Sequence, residues 1–387
     1  MAGWRRQRDQ MVDMITSYAG ERVLAAFRAV PRHRFLPEVA IDEVYRDQPV
    51  VTRRDESGLP ISSSSQPAIM AVMLEQLDVR EGQRVLEIGA GTGFNAALLG
   101  HLAGDTGSVV SVDIDQETVD TARKHLADTP NVTVVCGDGA DGVPDGAPYD
   151  RLICTVGVWD ISPSWRDQLA PAGRMVLPLD LRGVQRSVAF ERDGDGWVSR
   201  SVEPCGFMRL RGRMAGPEVV RMVRPGLTLS LPDPHGLDPD RIGQLLDEPT
   251  NEQVTDLMVS GAEVFGGLSL WLAIHEPAWC VLNEHGHRWL AAAPVRMQPD
   301  TGMTAGVAGG DGLALLTKPD ESAIGATGFG ADGDVLTVRL LDHVRAWHAA
   351  GRPGTSGLCV KAVPPTTPAD GGEVIDKTYT RLVISQT

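Results

Sequence analysis

The chain opens with apolar residues at helical spacing. Met11, Met14, Ile15, Tyr18, Val23, Leu24 and Phe27 recur every three or four positions, which predicts an amphipathic helix over 10–29 that Pro31 ends. Thr52, Asp55, Ser57, Gly58 and Pro60, followed by a serine run, read as a loop over 50–65. Pro67 then opens a helix through Leu77, with Ile69, Met70, Met73, Leu74 and Leu77 on its apolar face. From residue 84 onward the period switches back and forth. Short apolar runs at 84–88, 108–112, 132–136, 149–155 and 174–178 are separated by helical patterns at 94–102, 116–126 and 163–169. This alternation predicts an α/β fold with a doubly wound parallel sheet, whose ligands lie at the carboxyl ends of the strands. Runs at 185–191 and 197–204 flank Asp193-Gly194-Asp195-Gly196 and predict an antiparallel hairpin.

The pattern changes near residue 214. Pro217, Pro225, Pro232 and Pro234 read as a linker over 215–235. Beyond it, helical patterns at 238–247, 250–259, 262–274 and 333–350 mix with strand-like runs at 279–283, 291–297, 312–317, 357–363 and 379–385. The glycine-rich stretches Gly306–Gly312 and Gly325–Gly333 read as loops. The expected organisation is a catalytic domain over 1–214, the linker, and a separate C-terminal α+β domain over 236–387.

The chemistry concentrates at the first parallel strand. Val85-Leu86-Glu87-Ile88-Gly89-Ala90-Gly91-Thr92-Gly93-Phe94 is an apolar strand that ends in glycines at every second position and runs into a helix. Such glycines let the backbone turn and approach a ligand, and the helix start presents unpaired N–H groups to it. The spacing is neither the dinucleotide fingerprint nor a phosphate loop. Glu-x-Gly-x-Gly-x-Gly resembles motif I of the class I S-adenosylmethionine methyltransferases, which implies a Rossmann-like domain and S-adenosyl-L-methionine as cofactor, with S-adenosyl-L-homocysteine as product. Gly89, Gly91 and Gly93 would make room for the methionine part. Asp113, at the end of the next strand, is placed to reach ribose hydroxyls, and Asp138, at the end of the third, to accept from the adenine amino group. Taken singly each acid also reads as a helix cap; their order at consecutive strand ends points to the cofactor. Glu87 is expected to orient the loop or the ligand's ammonium.

The segments around this motif narrow the family. Ser63-Ser64-Ser65-Gln66-Pro67, Val30-Pro31-Arg32 with Arg34-Phe35, Tyr45-x-Asp47-x-Pro49, Cys136-Gly137-Asp138-Gly139, Tyr149-Asp150-x-x-Ile153-x-Thr155 and Gly173-x-x-Val176-x-Pro178 resemble the protein-L-isoaspartate O-methyltransferases over about residues 10–212. The resemblance implies that Ser65 is the active-site serine, with Ser63 two positions before it. It extends cofactor contact to Ser65, Phe94, Ile114, Gly137, Gly139 and Thr155, and substrate contact to Ser63, Gln66, Val156 and Trp159. On composition alone Ser62–Ser65 also reads as a linker that caps the Pro67 helix. The chain departs from the family after Thr155, where Val156-Gly157-Val158-Trp159-Asp160 replaces small residues. Trp159 is therefore either a pocket wall or core.

Composition adds exclusions. A net charge of −15 argues against nucleic-acid or anionic-membrane partners. Arginines outnumber acids in the first 54 residues, which compensates locally for a carboxylate substrate. The five cysteines contain no Cys-x-x-Cys pair, so a cytoplasmic location and no metal are expected; Cys136 and Cys154 read as core. His285-Gly286-His287 reads as a surface turn. No apolar run approaches the roughly 20 residues of a membrane span, and Met1–Asp13 is too polar for a signal peptide.

Two stretches beyond the catalytic part, Phe265–Ala273 and Ile375–Val383, resemble the extension of FxLD-type, lanthipeptide-associated methyltransferases. That resemblance implies a carboxyl methyltransferase that esterifies an aspartate of a cyclised, ribosomally made precursor peptide, leading through a succinimide to isoaspartate. The alternative is repair of isoaspartyl protein with an accessory domain. A third reading is a non-catalytic S-adenosylmethionine-binding regulator, against which an intact Ser65 and glycine loop count.

Overall fold

The computed structural model describes residues 3–54, 60–217, 219–232, 238–290, 292–298, 301–318, 322–369 and 371–386. Asp55, Ser57 and Gly58 of the expected loop, Pro234 of the expected linker, and residues 236, 237 and 291 lie outside that description. The chain divides into two compact units, the first built from 1–180, 185–216 and 359–385, the second from 181–184, 217–358 and 386–387.

The first unit begins with α1 (Gly3–Met14) and α2 (Glu21–Ala29). The single helix expected over 10–29 is broken, because Gly20 is extended and its N–H donates to Glu75 Oε2 at 2.9 Å. After α3 (Ile41–Val44), the expected loop is a hairpin, β1 (Val50–Arg54) and β2 (Pro60–Ser64), in which Val51 faces Ser63 and Thr52 Oγ1 donates to Ser62 Oγ at 3.0 Å. Helix α4 (Pro67–Leu77) starts on its proline, whose fixed φ suits a first turn.

Then come β3 (Arg84–Ile88), α5 (Phe94–Ala103), β4 (Ser108–Asp113), α6 (Gln116–His125), β5 (Val132–Cys136), β6 (Tyr149–Cys154), α7 (Pro163–Gln168), β7 (Leu169–Leu181), β8 (Val184–Asp193) and β9 (Gly196–Pro204). β3 pairs in parallel with β4 on one side and β6 on the other, so the winding reverses at β3. That reversal opens a crevice at the strand ends, where ligands of open α/β sheets bind. β3 is buried on both faces, as a central parallel strand covered by helices must be. Cys154 is buried, whereas Cys136, expected in the core, is exposed at the end of the edge strand β5.

The second unit holds β10 (Val220–Arg224), β11 (Leu227–Ser230), α8 (Pro239–Leu245), β12 (Pro249–Val254), α9 (Gly261–Glu263), a π turn (Val264–Leu268), α10 (Ser269–His275), β13 (Trp279–His285), β14 (Val295–Gln298), β15 (Thr301–Gly309), β16 (Gly312–Thr317), β17 (Gly325–Gly330) and α11 (Gly333–Ala349). Two expectations fail here. Residues 250–259 are not a helix: β12 is an edge strand paired with β17. The glycine-rich stretches are not loops but parts of β15–β17. Their glycines allow close approach: a Cβ on Gly325 would lie 2.6 Å from Gln253 O, and one on Gly328 2.5 Å from Gly333 O, where α11 begins.

The last strands, β18 (Leu358–Val363), β19 (Glu373–Asp376) and β20 (Arg381–Gln386), correct the expected boundary of 236–387. They extend the first unit's sheet, in the order β19-β20-β18-β9-β8-β7-β6-β3-β4-β5, with Lys361 and Ala362 paired to Val198 and Trp197. The second unit is thus an insertion, not a C-terminal domain. Among the described residues no helix is long and apolar enough to cross a membrane.

Candidate active site

The glycine loop follows β3 and is held from three directions. Gly89 has φ +103°, and a Cβ there would lie 2.7 Å from Thr155 Oγ1 and 3.0 Å from Val156 Cγ1. Thr155 fixes this approach by donating its hydroxyl to Gly89 O at 2.6 Å and its N–H to Ile88 O at 2.9 Å. Gly91 (φ +50°) differs: the nearest atom to an added Cβ is Ser63 O at 3.8 Å, an ordinary contact distance, so nothing crowds it. Gly93 (φ +87°) caps α5 against Leu126. His125, absent from the sequence reading of the site, accepts no role in chemistry but meets Thr92 O at 2.9 Å through Nδ1 and steadies the same loop.

Asp113, at the end of β4, turns back to the loop. Its Oδ2 accepts from Gly91 N and its Oδ1 from Asp115 N, both at 3.2 Å. Ile114 beside it is exposed. At the end of β5, Gly137 N donates to Asp113 O at 2.9 Å, which joins the second and third strand ends. Asp138 Oδ1 caps the turn at Ala140 N (2.9 Å), and its Oδ2 accepts from Arg213 N (3.0 Å). Gly139 lies so close to β3 that a Cβ would be 2.5 Å from Ile88 Cγ2.

Two residues expected to contact the cofactor have side chains turned into the core. Glu87 is fully buried, with Oε1 accepting from Asn95 Nδ2 at 2.7 Å and Oε2 from the Ser111 hydroxyl. It braces β3, α5 and β4 from inside and does not face a ligand. Burial raises its carboxyl to about 7, although the Ser111 and Asn95 hydrogen bonds pull it down and the charge of Asp113 adds to the rise. The Phe94 ring is also in the core, 6.0 Å from Phe27 and 5.5 Å from Phe35 between centroids. α5 is mostly apolar and buries every residue but His101.

The Ser63-Ser64-Ser65-Gln66-Pro67 segment is organised by a buried cation that the sequence reading did not single out. Arg32 has no exposed surface, and its guanidinium fork spans the segment's backbone. Nη1 donates to Val44 O (2.7 Å) and Arg46 O (3.3 Å); Nη2 donates to Ser65 O (2.9 Å), Gln48 O (3.3 Å) and Ser64 O (3.4 Å). Burial lowers its pKa to about 10, opposed by the charges of Asp47 and Tyr45, so it stays protonated at neutral pH. Asp47 completes the clamp: Oδ2 accepts from Gln66 Nε2 (2.9 Å) and Oδ1 from Ala68 N (2.8 Å) at the start of α4. The Gln66 amide, expected to contact substrate, is therefore engaged in anchoring. Ser63 and Ser65 remain half-buried, and Ser64 is buried. The signal for Arg32 was its place in Val30-Pro31-Arg32.

After β6 the chain stays extended. Gly157 N donates to Met208 O (2.7 Å) and Val158 N to Pro178 O (2.8 Å). Ser63, Gly89, Gly91, Asp113, Thr155 and Val156 thus meet around the glycine loop. Trp159 stands farther along, half-buried, against Gly216 and Lys377.

Comparison with known proteins agrees with this arrangement. A model of the protein-L-isoaspartate(D-aspartate) O-methyltransferase family matches residues 6–215. The protein-L-isoaspartate O-methyltransferase of Methanopyrus kandleri is 38% identical over 216 residues, which cover 54% of this chain and 93% of that one. The enzyme of that name from Methanoculleus marisnigri is 41% identical over 199 residues, 49% of this chain and 85% of its own. A solved structure titled protein-L-isoaspartate O-methyltransferase shares the fold with a TM-score of 0.53 at 21% identity, spanning 98% of this chain and 99% of that one.

Proposed function

The chain belongs to the protein-L-isoaspartate(D-aspartate) O-methyltransferase family, S-adenosyl-L-methionine-dependent carboxyl methyltransferases, and from that premise we propose that it esterifies the free carboxylate of L-isoaspartyl residues in peptides and proteins. The observation that carries the reading is the Ser63 carbonyl lying 3.8 Å from where a Cβ on Gly91 would stand, which brings the serine segment onto the glycine loop.

The cofactor fits these residues. The uncrowded backbone at Gly91 suits a ligand that approaches it closely, and Asp113 offers a carboxylate at the adjoining strand end. Gly89, Gly91 and Asp113 would hold it, with Ile114, Gly137 and Asp138 toward the adenine side. When bound, S-adenosyl-L-methionine supplies an electrophilic sulfonium methyl. The acceptor carboxylate is ionised at neutral pH, so the protein needs no general base. Its work is alignment and exclusion of water. Ser65 would donate a hydrogen bond to the carboxylate and aim it, while Ser63 and Val156 flank the approach. The resulting methyl ester carries a better leaving group than the acid, so the neighbouring backbone nitrogen closes a succinimide, and hydrolysis gives aspartate and isoaspartate.

An aspartyl residue of a cyclised precursor peptide is the competing acceptor. Its argument was the added unit, and a structure bearing the isoaspartate name spans nearly all of this chain with that unit included; the names of the curated relatives also favour isoaspartate. The test is mass spectrometry after incubation with the cofactor and paired isoAsp-Gly, Asp-Gly and cyclised Asp-containing peptides. A gain of one methylene on the isoAsp peptide alone is expected. Methylation of only the cyclised Asp peptide would overturn the reading in favour of peptide maturation, and no methylation would leave a cofactor-binding regulator.

A further inference from the structure

The chain leaves the catalytic unit after Gly216 and returns at Cys359, and both flanks of that excursion meet on one side chain. Gly216 (φ +72°) passes so close that an added Cβ would lie 2.5 Å from Cβ and Cγ of Trp159. From the returning segment, Lys377 sets its ammonium 4.8 Å from the Trp159 ring centroid. Lys377 is only 8% exposed, and its Nζ also donates to Asp180 Oδ1 at 3.3 Å. A buried ammonium is retained only where it is compensated; here the partners are a carboxylate and an aromatic face.

The next residue repeats the arrangement. Asp160 is 1% exposed, yet its Oδ2 accepts from Tyr379 N and its Oδ1 from Thr380 Oγ1, each at 2.6 Å. The turn between them is closed by Lys377 N donating to Thr380 O at 2.9 Å, and Asp180 N donates back to Val158 O at 2.8 Å. Residues 377–380 therefore grip Trp159 and Asp160 side by side. The gripped segment is the one that begins at Val156 against Gly89.

We propose that residues 377–380 are a positioning strap, in which Lys377 and Thr380 fix Trp159 and Asp160 so that the 156–160 segment stands as a rigid wall for the peptide flanking the acceptor carboxylate. The C-terminal return, and not the first 216 residues alone, then sets peptide affinity. This rests on the reading of the acceptor side given above. Lys377 is a positioning residue: it acts through Trp159 and touches neither cofactor nor carboxylate.

The test uses full-length protein with Lys377→Met, which keeps the stem and removes the cation, and Lys377→Arg, which restores a cation over the ring. Lys377→Met should raise KM for the isoAsp-Gly peptide about five-fold, within the range set by a partly desolvated cation–π contact. It should leave kcat within about two-fold and S-adenosyl-L-homocysteine affinity by calorimetry unchanged, since the contacts of the Lys377 ammonium are to Trp159 and Asp180 and not to the glycine loop. Lys377→Arg should return KM toward wild type. An unmoved KM, a parallel loss of S-adenosyl-L-homocysteine affinity, or failure of arginine to restore KM would each overturn the proposal. Hydrogen exchange at the amides of 159–161 decides it without turnover: faster exchange in Lys377→Met supports the strap, and unchanged exchange overturns it. If the wild-type chain methylates no isoaspartyl peptide, the functional reading fails, while the exchange result still decides the strap.

Discussion

Arg32→Lys separates the clamp from mere positive charge. The guanidinium makes two short bonds at opposite tips of its fork, 2.7 Å to Val44 O and 2.9 Å to Ser65 O, with four longer ones between 3.3 and 3.5 Å. A lysine ammonium carries its donors on one atom and cannot span both tips. The variant should therefore lose one short charge-assisted bond, worth about 1.5–3 kcal/mol, and leave a buried carbonyl short of its partner at about 1–3 kcal/mol. Some relaxation offsets this, so a loss of about 2–4 kcal/mol is expected. Calorimetry should show the catalytic unit melting roughly 5–15 °C lower. The freed tip is the one on Ser65, so kcat should fall about tenfold or more at saturating peptide, with S-adenosyl-L-homocysteine affinity retained. A stability change under about 0.5 kcal/mol, the size of an ordinary surface substitution, together with unchanged kcat would refute the clamp.

Two other outcomes follow from the same geometry. Ser65→Ala should cut kcat on the isoaspartyl peptide by about tenfold or more while S-adenosyl-L-homocysteine binds within about two-fold of wild type, because a neutral hydrogen bond that aims the acceptor acts in the chemical step; full activity in methyl-transfer assays would remove Ser65 from the mechanism. For Glu87, burial raises the carboxyl from 4.5 to about 7, so between those values the folded state keeps a proton that the unfolded state has lost. Stability from this group is full below about pH 4.5 and is lost as pH rises through about 7, at up to about 1.4 kcal/mol per pH unit. Glu87→Gln should flatten that part of the urea-unfolding profile, since an amide can still accept from Asn95 and donate to the Ser111 hydroxyl; an unaltered slope would show that the carboxyl is ionised in the fold.

What was legible in the sequence was local. The strand-end order Gly89, Asp113, Asp138 follows from the alternating period, and the structure brings the first two into direct hydrogen bonding through Gly91. The burial of the Glu87 and Phe94 side chains was not legible, because a motif position does not say which way a side chain points. The largely apolar helix that Phe94 opens, and the polar Asn95 and Ser111 within apolar runs, were the physical signs that both side chains turn inward. Arg32 was hidden among many N-terminal arginines, as its distinction is burial. The helix expected over 250–259 failed because strand pairing outweighed a weak helical period, and the glycine-rich strands failed because glycine marks close backbone approach as readily as a loop.

Sheet membership was the largest thing the sequence could not convey. The apolar alternation at 357–363 and 379–385 predicts strands wherever they pair, since period-2 patterning encodes a face and not a partner. The family match ends at residue 215, which makes a cut near 214 look natural, yet β9, inside that match, is paired to β18, far beyond it. Removing everything after 214 would bare the β9 edge and strip Asp160 of both Tyr379 and Thr380. An unpaired edge strand invites association, and Asp160 would keep only the Ile161 N–H of its three donors. The smallest self-consistent catalytic piece is therefore 1–216 joined to 359–386, and the second unit is best regarded as inserted into a working sheet rather than appended to one.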